Sequence, residues 1–316
     1  MAHKKTFSIL IAVAVIMSAL YLFWGLNPTI MRFALSRRLP NLVAILIVGP
    51  GIAFSTVLFQ TVANNRILTP SVLGLDSLYT LLQTGLIFVL GSYAIVELGS
   101  LTNFFLAGGL MVVFSLLLFR VMFKGERQNM FLLLMMGIVF GTFFTSLSSF
   151  MQRIMDAGDF LIIQNRTLAS FNNVPQSLIV PALGVLAMAV GFMWREFRHL
   201  DVLALNRDHA INLGLDYQKS VRKILIVVSI FVSVTTALIG PITFLGLLVV
   251  NLAHQLFNDH RHQVLIAGSM LISIIALAGG QFFVERIFQF NTTIGVIINF
   301  FGGLYFIYIL LAEARV

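Results

Sequence analysis

The residues with the strongest look of chemistry stand together in one short stretch, Asn258-Asp259-His260-Arg261-His262. Two histidines and an aspartate are metal-ligand types. They lie too close in sequence to surround one ion unaided, and no further ligand is evident, so they read as a polar turn. The methionines at 130, 135, 136, 151 and 155 offer thioethers of the kind a copper path uses. Scattered methionine more often fills gaps between helices. No Gly-x-x-x-x-Gly-Lys-[Ser/Thr] phosphate loop occurs: the lysines are 4, 5, 124, 219 and 223, none after glycine. The chain has no cysteine, no His-Glu-x-x-His and no Ser/His/Asp grouping on one side of a membrane. A membrane-embedded enzyme would need clustered acids, bases or metal ligands. Hydrolysis of ATP by this chain itself is excluded on the same grounds.

The elements that must hold these residues are apolar. Of 316 residues, 59% are hydrophobic and only 10% are charged, against about 25% charged in soluble domains; the mean hydropathy is +0.98. The pattern predicts an all-α, polytopic membrane protein forming a single transmembrane domain over 1–316. About ten spans are expected, near 7–24, 41–63, 72–91, 101–122, 130–150, 177–195, 223–240, 243–257, 264–283 and 294–311. The first follows Lys4-Lys5 and ends at Phe23-Trp24, an interfacial anchor rather than a cleavage site. The net charge of +8 points to basic loops rather than to nucleic acid. With both termini inside, fourteen of the 20 Lys and Arg fall on the cytoplasmic side, and Arg32, Arg37, Arg38, Arg153, Arg166 and Arg286 fall outside. Glu97, after the third span, reads as solvated. Ionisable residues inside spans, which an ion-coupled secondary transporter would show, are almost lacking.

One polar interruption, Asp201 to Lys223, keeps a pattern. Asn206 can cap a helix, Arg207 to Leu213 makes about two turns, and Gly214 can close it in the left-handed conformation with Leu215 beyond. A helix this short needs a surface to lie on. In the fifth span, Gly137-x-x-x-Gly141 allows close helix approach, and Thr142, Thr145, Ser146, Ser148 and Ser149 form a hydroxyl row that either glues helices or lines a wet path.

The stretch Leu203-Ala204-Leu205 … Ala210 … Leu213-Gly214-Leu215 … Val221-Arg222 resembles the coupling-helix loop of the FecCD family, the iron-chelate and cobalamin permeases of ABC importers. Further likenesses run in order along the chain. Arg38-Leu39-Pro40 resembles the opening of the family's second span, with Asn41 in place of a second arginine. Gln60 to Gly74 resembles the hairpin after it, keeping Pro70 and Leu73-Gly74 but with Arg66-Ile67 for Asn-Pro and Asp76-Ser77 where relatives have small residues. Gly240-Pro241-Ile242-Thr243-Phe244-Leu245-Gly246-Leu247 and Asn258 to Arg261 also match. Val250 to His254 departs from the usual Pro-His-x-x-Arg, and Arg286 keeps one terminal arginine. Thr293 to Leu311 resembles the closing segment.

The resemblance implies a type II ABC importer permease fold, closest to the two-permease systems for catechol-type siderophores. It implies a multi-pass protein of the bacterial inner membrane with both termini cytoplasmic. The implied cargo is a ferric siderophore, with haem or cobalamin as alternatives and an ion-coupled secondary transporter as a more distant one. The implied partners are a second permease (a heterodimer rather than a homodimer), two ATPase subunits that bind ATP and Mg, and a periplasmic or lipid-anchored binding protein. The chain itself would hold no cofactor or metal. Coupling falls to Asn206, Arg207, Asp208, Ala210, Ile211, Leu213 and Gly214, and docking of the binding protein to Arg37, Arg38 and Arg286. The translocation path falls to Gln60, Gln128, Asn129, Thr142, Ser146 and Asn299.

Overall fold

The computed structural model describes residues 2–25, 31–122, 130–172, 174–205 and 207–313. Helices follow one another throughout: α1 (Ala2–Phe23), α2 (Met31–Ala63), a 3₁₀ turn (Pro70–Leu73), α3 (Leu75–Met122), α4 (Met130–Arg153), α5 (Ala157–Thr167) and α6 (Gln176–Met193). After a second 3₁₀ turn (Glu196–Arg198) come α7 (Leu200–Leu203), α8 (Arg207–Asn212), α9 (Tyr217–Ile239), α10 (Leu245–Phe257), α11 (His262–Arg286) and α12 (Ile294–Glu313). The all-α expectation holds. Inside α3 the backbone leaves helical geometry at Gly91 and Gly99, where φ is +77° and +71°. These two breaks divide it into the expected third and fourth spans.

Among the described residues, seven helices are long and apolar enough to cross a bilayer, and 75–91, 245–257 and 294–309 are shorter apolar helices. Together they coincide with the ten spans read from the sequence. The bundle is centred on α2 and α9, whose apolar windows are 78% and 72% buried, whereas the window in α1 is 11% buried. α2 and α9 pack on each other; α3 and α6 lean on α9, α1 and α11 on α2, α4 on α3, and α10 joins α11 to α12. In these central helices Ser55, Thr56, Thr61, Ser229 and Thr235 donate their hydroxyls to carbonyls three or four residues back. That is how a hydroxyl is satisfied in an apolar interior.

The third span is short for a structural reason. After α2 ends, the chain returns into the bundle as the Pro70–Leu73 turn and packs against α4, α9 and α2. A Cβ on Gly137 would lie 2.4 Å from Val72 O, and one on Gly74 2.8 Å from Gly137 O. Gly74 also needs its φ of +78°. Gly137 lies seven residues into α4, about 10 Å along it. The Gly137-x-x-x-Gly141 face therefore admits a turn of backbone rather than another helix. Irregular backbone at that depth is tolerated because it is buried in protein. Asp76 follows two residues later, in the first turn of α3.

Candidate functional site

At the end of the bundle where α2 finishes and α9 begins, α8 is one and a half turns, Arg207–Asn212. Its closure is as the sequence predicts. The Gly214 N–H donates to Ile211 O at 2.9 Å and the Leu215 N–H to Ala210 O at 3.1 Å, the paired bonds of a Schellman motif around a left-handed residue. Gly214 has φ +84°. Asn206 lies outside the described residues. Ile211 and Leu213 are 47% and 65% exposed, Asp208 is exposed and Arg207 half-buried. Ala210, assigned to coupling with its neighbours, is fully buried within the chain, where α8 packs on α7 and α9. With Ile211 and Leu213 turned outward, the helix seats Ala210 on its own chain.

Two polar ties hold this seat, and sequence reading named neither. Glu196 accepts from Lys223 Nζ at 2.7 Å and Ser220 Oγ at 2.8 Å, with His199 Nδ1 at 3.2 Å, which fixes the turn before α7 to α9. Asp201 Oδ1 accepts from the His262 backbone N–H at 2.9 Å and lies 2.6 Å from His262 Nδ1, while His262 Nε2 meets Thr61 Oγ1 at 2.8 Å. The second tie joins α7 to the start of α11 and to α2. Burial alone would raise both carboxyls. The hydrogen bonds and charge at Lys223 with Ser220 and His199 hold Glu196 below its ordinary value, and those of His262 with the charge of Arg261 do the same for Asp201. The polar turn before α11 is thus split. Asp259 accepts from the Arg261 N–H at 3.0 Å, and His262 leaves the turn to serve the seat. No local signal in the sequence pairs positions 201 and 262.

At the opposite end, the expectation that Arg38 is free for docking is revised. Arg38 is 8% exposed. Its Nε and Nη2 lie 3.1 and 2.5 Å from Glu285 Oε1, and Nη1 donates to Leu22 O and Trp24 O. The guanidinium locks α2 to α11 and to the end of α1. Glu285 reaches Arg38 rather than Arg286 because adjacent helix residues do not face each other. Arg286 instead donates to Trp24 O. Arg37 is exposed, its guanidinium 5.5 Å from the Phe33 ring centre.

The residues assigned to the path separate. Gln128 and Asn129 lie outside the described residues. Gln60 is buried, donates to Arg66 O at 2.6 Å and lines a cavity of about 540 Å³ with Asp201, His254, Arg261 and His262. Thr142 and Ser146 are exposed, Thr142 donating to Ile138 O. The hydroxyl row divides by helical period: Ser148 is buried glue, 2.9 Å from Thr84 Oγ1, while Thr145 lies 3.0 Å from Ser77 Oγ. Thr145 and Asn299 share a second cavity of about 220 Å³ with Asp76, Ser77, Thr80 and Thr243. Sequence reading noted Asp76 as a departure but did not place it in a site.

Residues 4–312 match the FecCD transport family. The chain is 52% identical over 315 residues to the petrobactin import system permease protein YclO of Bacillus subtilis strain 168, covering 100% of this chain and 99% of that one. It is 23% identical to the petrobactin import system permease protein YclN of the same strain, covering 88% of this chain and 82% of that one. In fold it is similar to a solved inward-facing structure described as a metal-chelate type ABC transporter, with a TM-score of 0.84, 19% identity and 98% and 99% of the chains covered.

Proposed function

The chain belongs to the FecCD transport family, and on that premise we propose that it is a membrane-spanning subunit of an ABC importer for a ferric siderophore. The similarity to YclO along the whole chain supports the cargo class. Two differently named permeases of one petrobactin system, of which this chain resembles one far more than the other, support a heterodimer with a second permease. Two separate ATPase subunits, each binding ATP and Mg, supply the energy, and a binding protein outside delivers the chelate. The end carrying Arg66, α8 and Arg261 faces the cytoplasm, as the positive-inside rule requires. In this reading both termini are cytoplasmic and the protein sits in the bacterial inner membrane.

The observation that carries this reading is the α8 seat: a short helix, closed at Gly214, that turns Ile211 and Leu213 outward on the basic end of an apolar bundle. Exposed apolar side chains on a rigid, charged surface fit a partner groove. When the ATPases close on ATP, α8 moves with them. The ties at Glu196 and Asp201 pass that displacement to α9, α11 and α2, the packed centre, and the helices rock as rigid bodies.

The test is uptake of radio-iron siderophore by proteoliposomes containing the chain with the second permease, ATPase and binding protein of its operon. Uptake requires ATP. Gly214→Val abolishes it while the complex still assembles, because φ +84° resists a β-branched residue although no atom lies within 4 Å of the added Cβ. Uptake without ATP, or full coupled uptake by the variant, overturns the proposal.

A further inference from the structure

Asp76 lies inside the bundle, in the first turn of α3. Its Oδ2 is buried and has no hydrogen-bond partner. The hydroxyls of Ser71, Thr243 and Thr236 reach the carboxyl group as hydrogen-bond donors, and with Ser55, Thr56 and Thr235 these residues line a small space of about 20 Å³ beside it. On its other side is the 220 Å³ cavity shared with Ser77, Thr80, Thr145 and Asn299. Asn299 Oδ1 is likewise buried without a partner. The position is imposed by the backbone: the Pro70–Gly74 turn is pressed into the Gly137/Gly141 face of α4, so the first turn of α3 starts inside the bundle.

A buried, unpaired carboxylate oxygen is costly, and ionisable groups at membrane depth mark pathways or contacts. The cavity lining holds this one acid and no lysine, arginine or histidine. Thr80 and Thr167 lie close enough to spend their hydroxyl protons on helix carbonyls, Asp76 O and Ile163 O. The cavity thus presents a carboxyl group and further acceptors, which suits a positively charged donor.

We propose that the Asp76 cavity is a cargo-contact site that receives a protonated amine carried by the chelate. This rests on the importer reading and narrows its substrate class to siderophores that bear a cationic nitrogen. Asp76 pairs with the ammonium group during passage, and Asn299 accepts a second hydrogen bond from it.

The test uses the assembled importer with Thr145→Cys in this cysteine-free chain. Modification of this chain by a trimethylammonium-ethyl and by a sulfonato-ethyl methanethiosulfonate is followed by mass spectrometry, each rate normalised to that with a small free thiol. The cationic reagent reacts faster by about tenfold or more, as expected for one charge a few ångströms away in a partly screened site. Asp76→Asn brings the ratio close to one, and Asp76→Glu retains the preference. A ratio near one with Asp76 present, a preference that survives Asp76→Asn, or a site that neither reagent reaches in any nucleotide state overturns the proposal. Uptake assayed in parallel separates the two readings. A flat ratio in a complex that imports ferric siderophores defeats only the inference, whereas a charge-selective cavity in a complex that imports none defeats the importer reading.

Discussion

The carboxylates at the ends of the bundle and the one in its interior are handled in opposite ways. Glu196, Asp201 and Glu285 each lie where two or three elements must be joined, and each is paired: with Lys223, with His262 and with Arg38. Asp76 lies where a joint has already been made by glycine packing, and its Oδ2 is left without a partner. A paired charge fixes relative position, because moving either element away strands the other charge. Asp76 meets hydroxyls but no opposite charge, so its Oδ2 is left for an interaction the resting chain does not make. The contrast separates residues that transmit movement from residues that meet cargo.

Glu285→Ala gives the largest effect on this contrast. The Arg38 side chain is 10% exposed and that of Glu285 14%, so removing the acid leaves a nearly buried guanidinium uncompensated, at a cost of about 3–5 kcal/mol. Thermal inactivation of the purified complex reads it without any binding protein present. Arg38→Met with Glu285→Leu restores most of the loss. A Glu285→Ala complex as stable as the original would release Arg38 from its structural role and return it to docking.

His262→Ala comes next. It removes the side-chain bonds to Asp201 and Thr61 and keeps only the backbone N–H bond to Asp201; hydrogen bonds to charged groups contribute about 1.5–3 kcal/mol. The effect is local: backbone amides of α7 and α8 exchange with deuterium roughly tenfold faster or more, and less cargo moves per ATP hydrolysed. Unchanged exchange there would mean that the Glu196 tie alone holds the seat.

Hydrophobic periodicity made the spans legible, since a bilayer demands long apolar runs and little else resembles them. The closure of α8 was legible because Gly214 with Leu215 is a local signal. What stayed hidden were pairings between residues remote in sequence: 38 with 285, 201 with 262, 196 with 223. Arg38 read as an outward cation because its partner lies on α11, and the burial of Ala210 was not legible because its face is set by α7 and α9. Asp76 stood out only as a departure from a pattern. Its meaning depended on the turn that carries it inside, and that turn is specified by glycines in two different segments.

The smallest effect is the most discriminating. Asp76→Asn keeps the side chain's shape and removes its charge. If the carboxylate is structurally idle, the change relieves the desolvation of an ion while the surrounding hydroxyls can still bond an amide. The expected shift in thermal stability is zero to about 1 kcal/mol, and it is a gain, opposite in sign to that of Glu285→Ala. Because Asp76 and Glu285 have different partners, the two effects add in the double substitution. A loss of about 2 kcal/mol or more for Asp76→Asn would show that the resting protein already uses this charge to hold the turn, α9 and α10 together. Asp76 would then join the paired carboxylates, and the division between transmitting and receiving residues would fall.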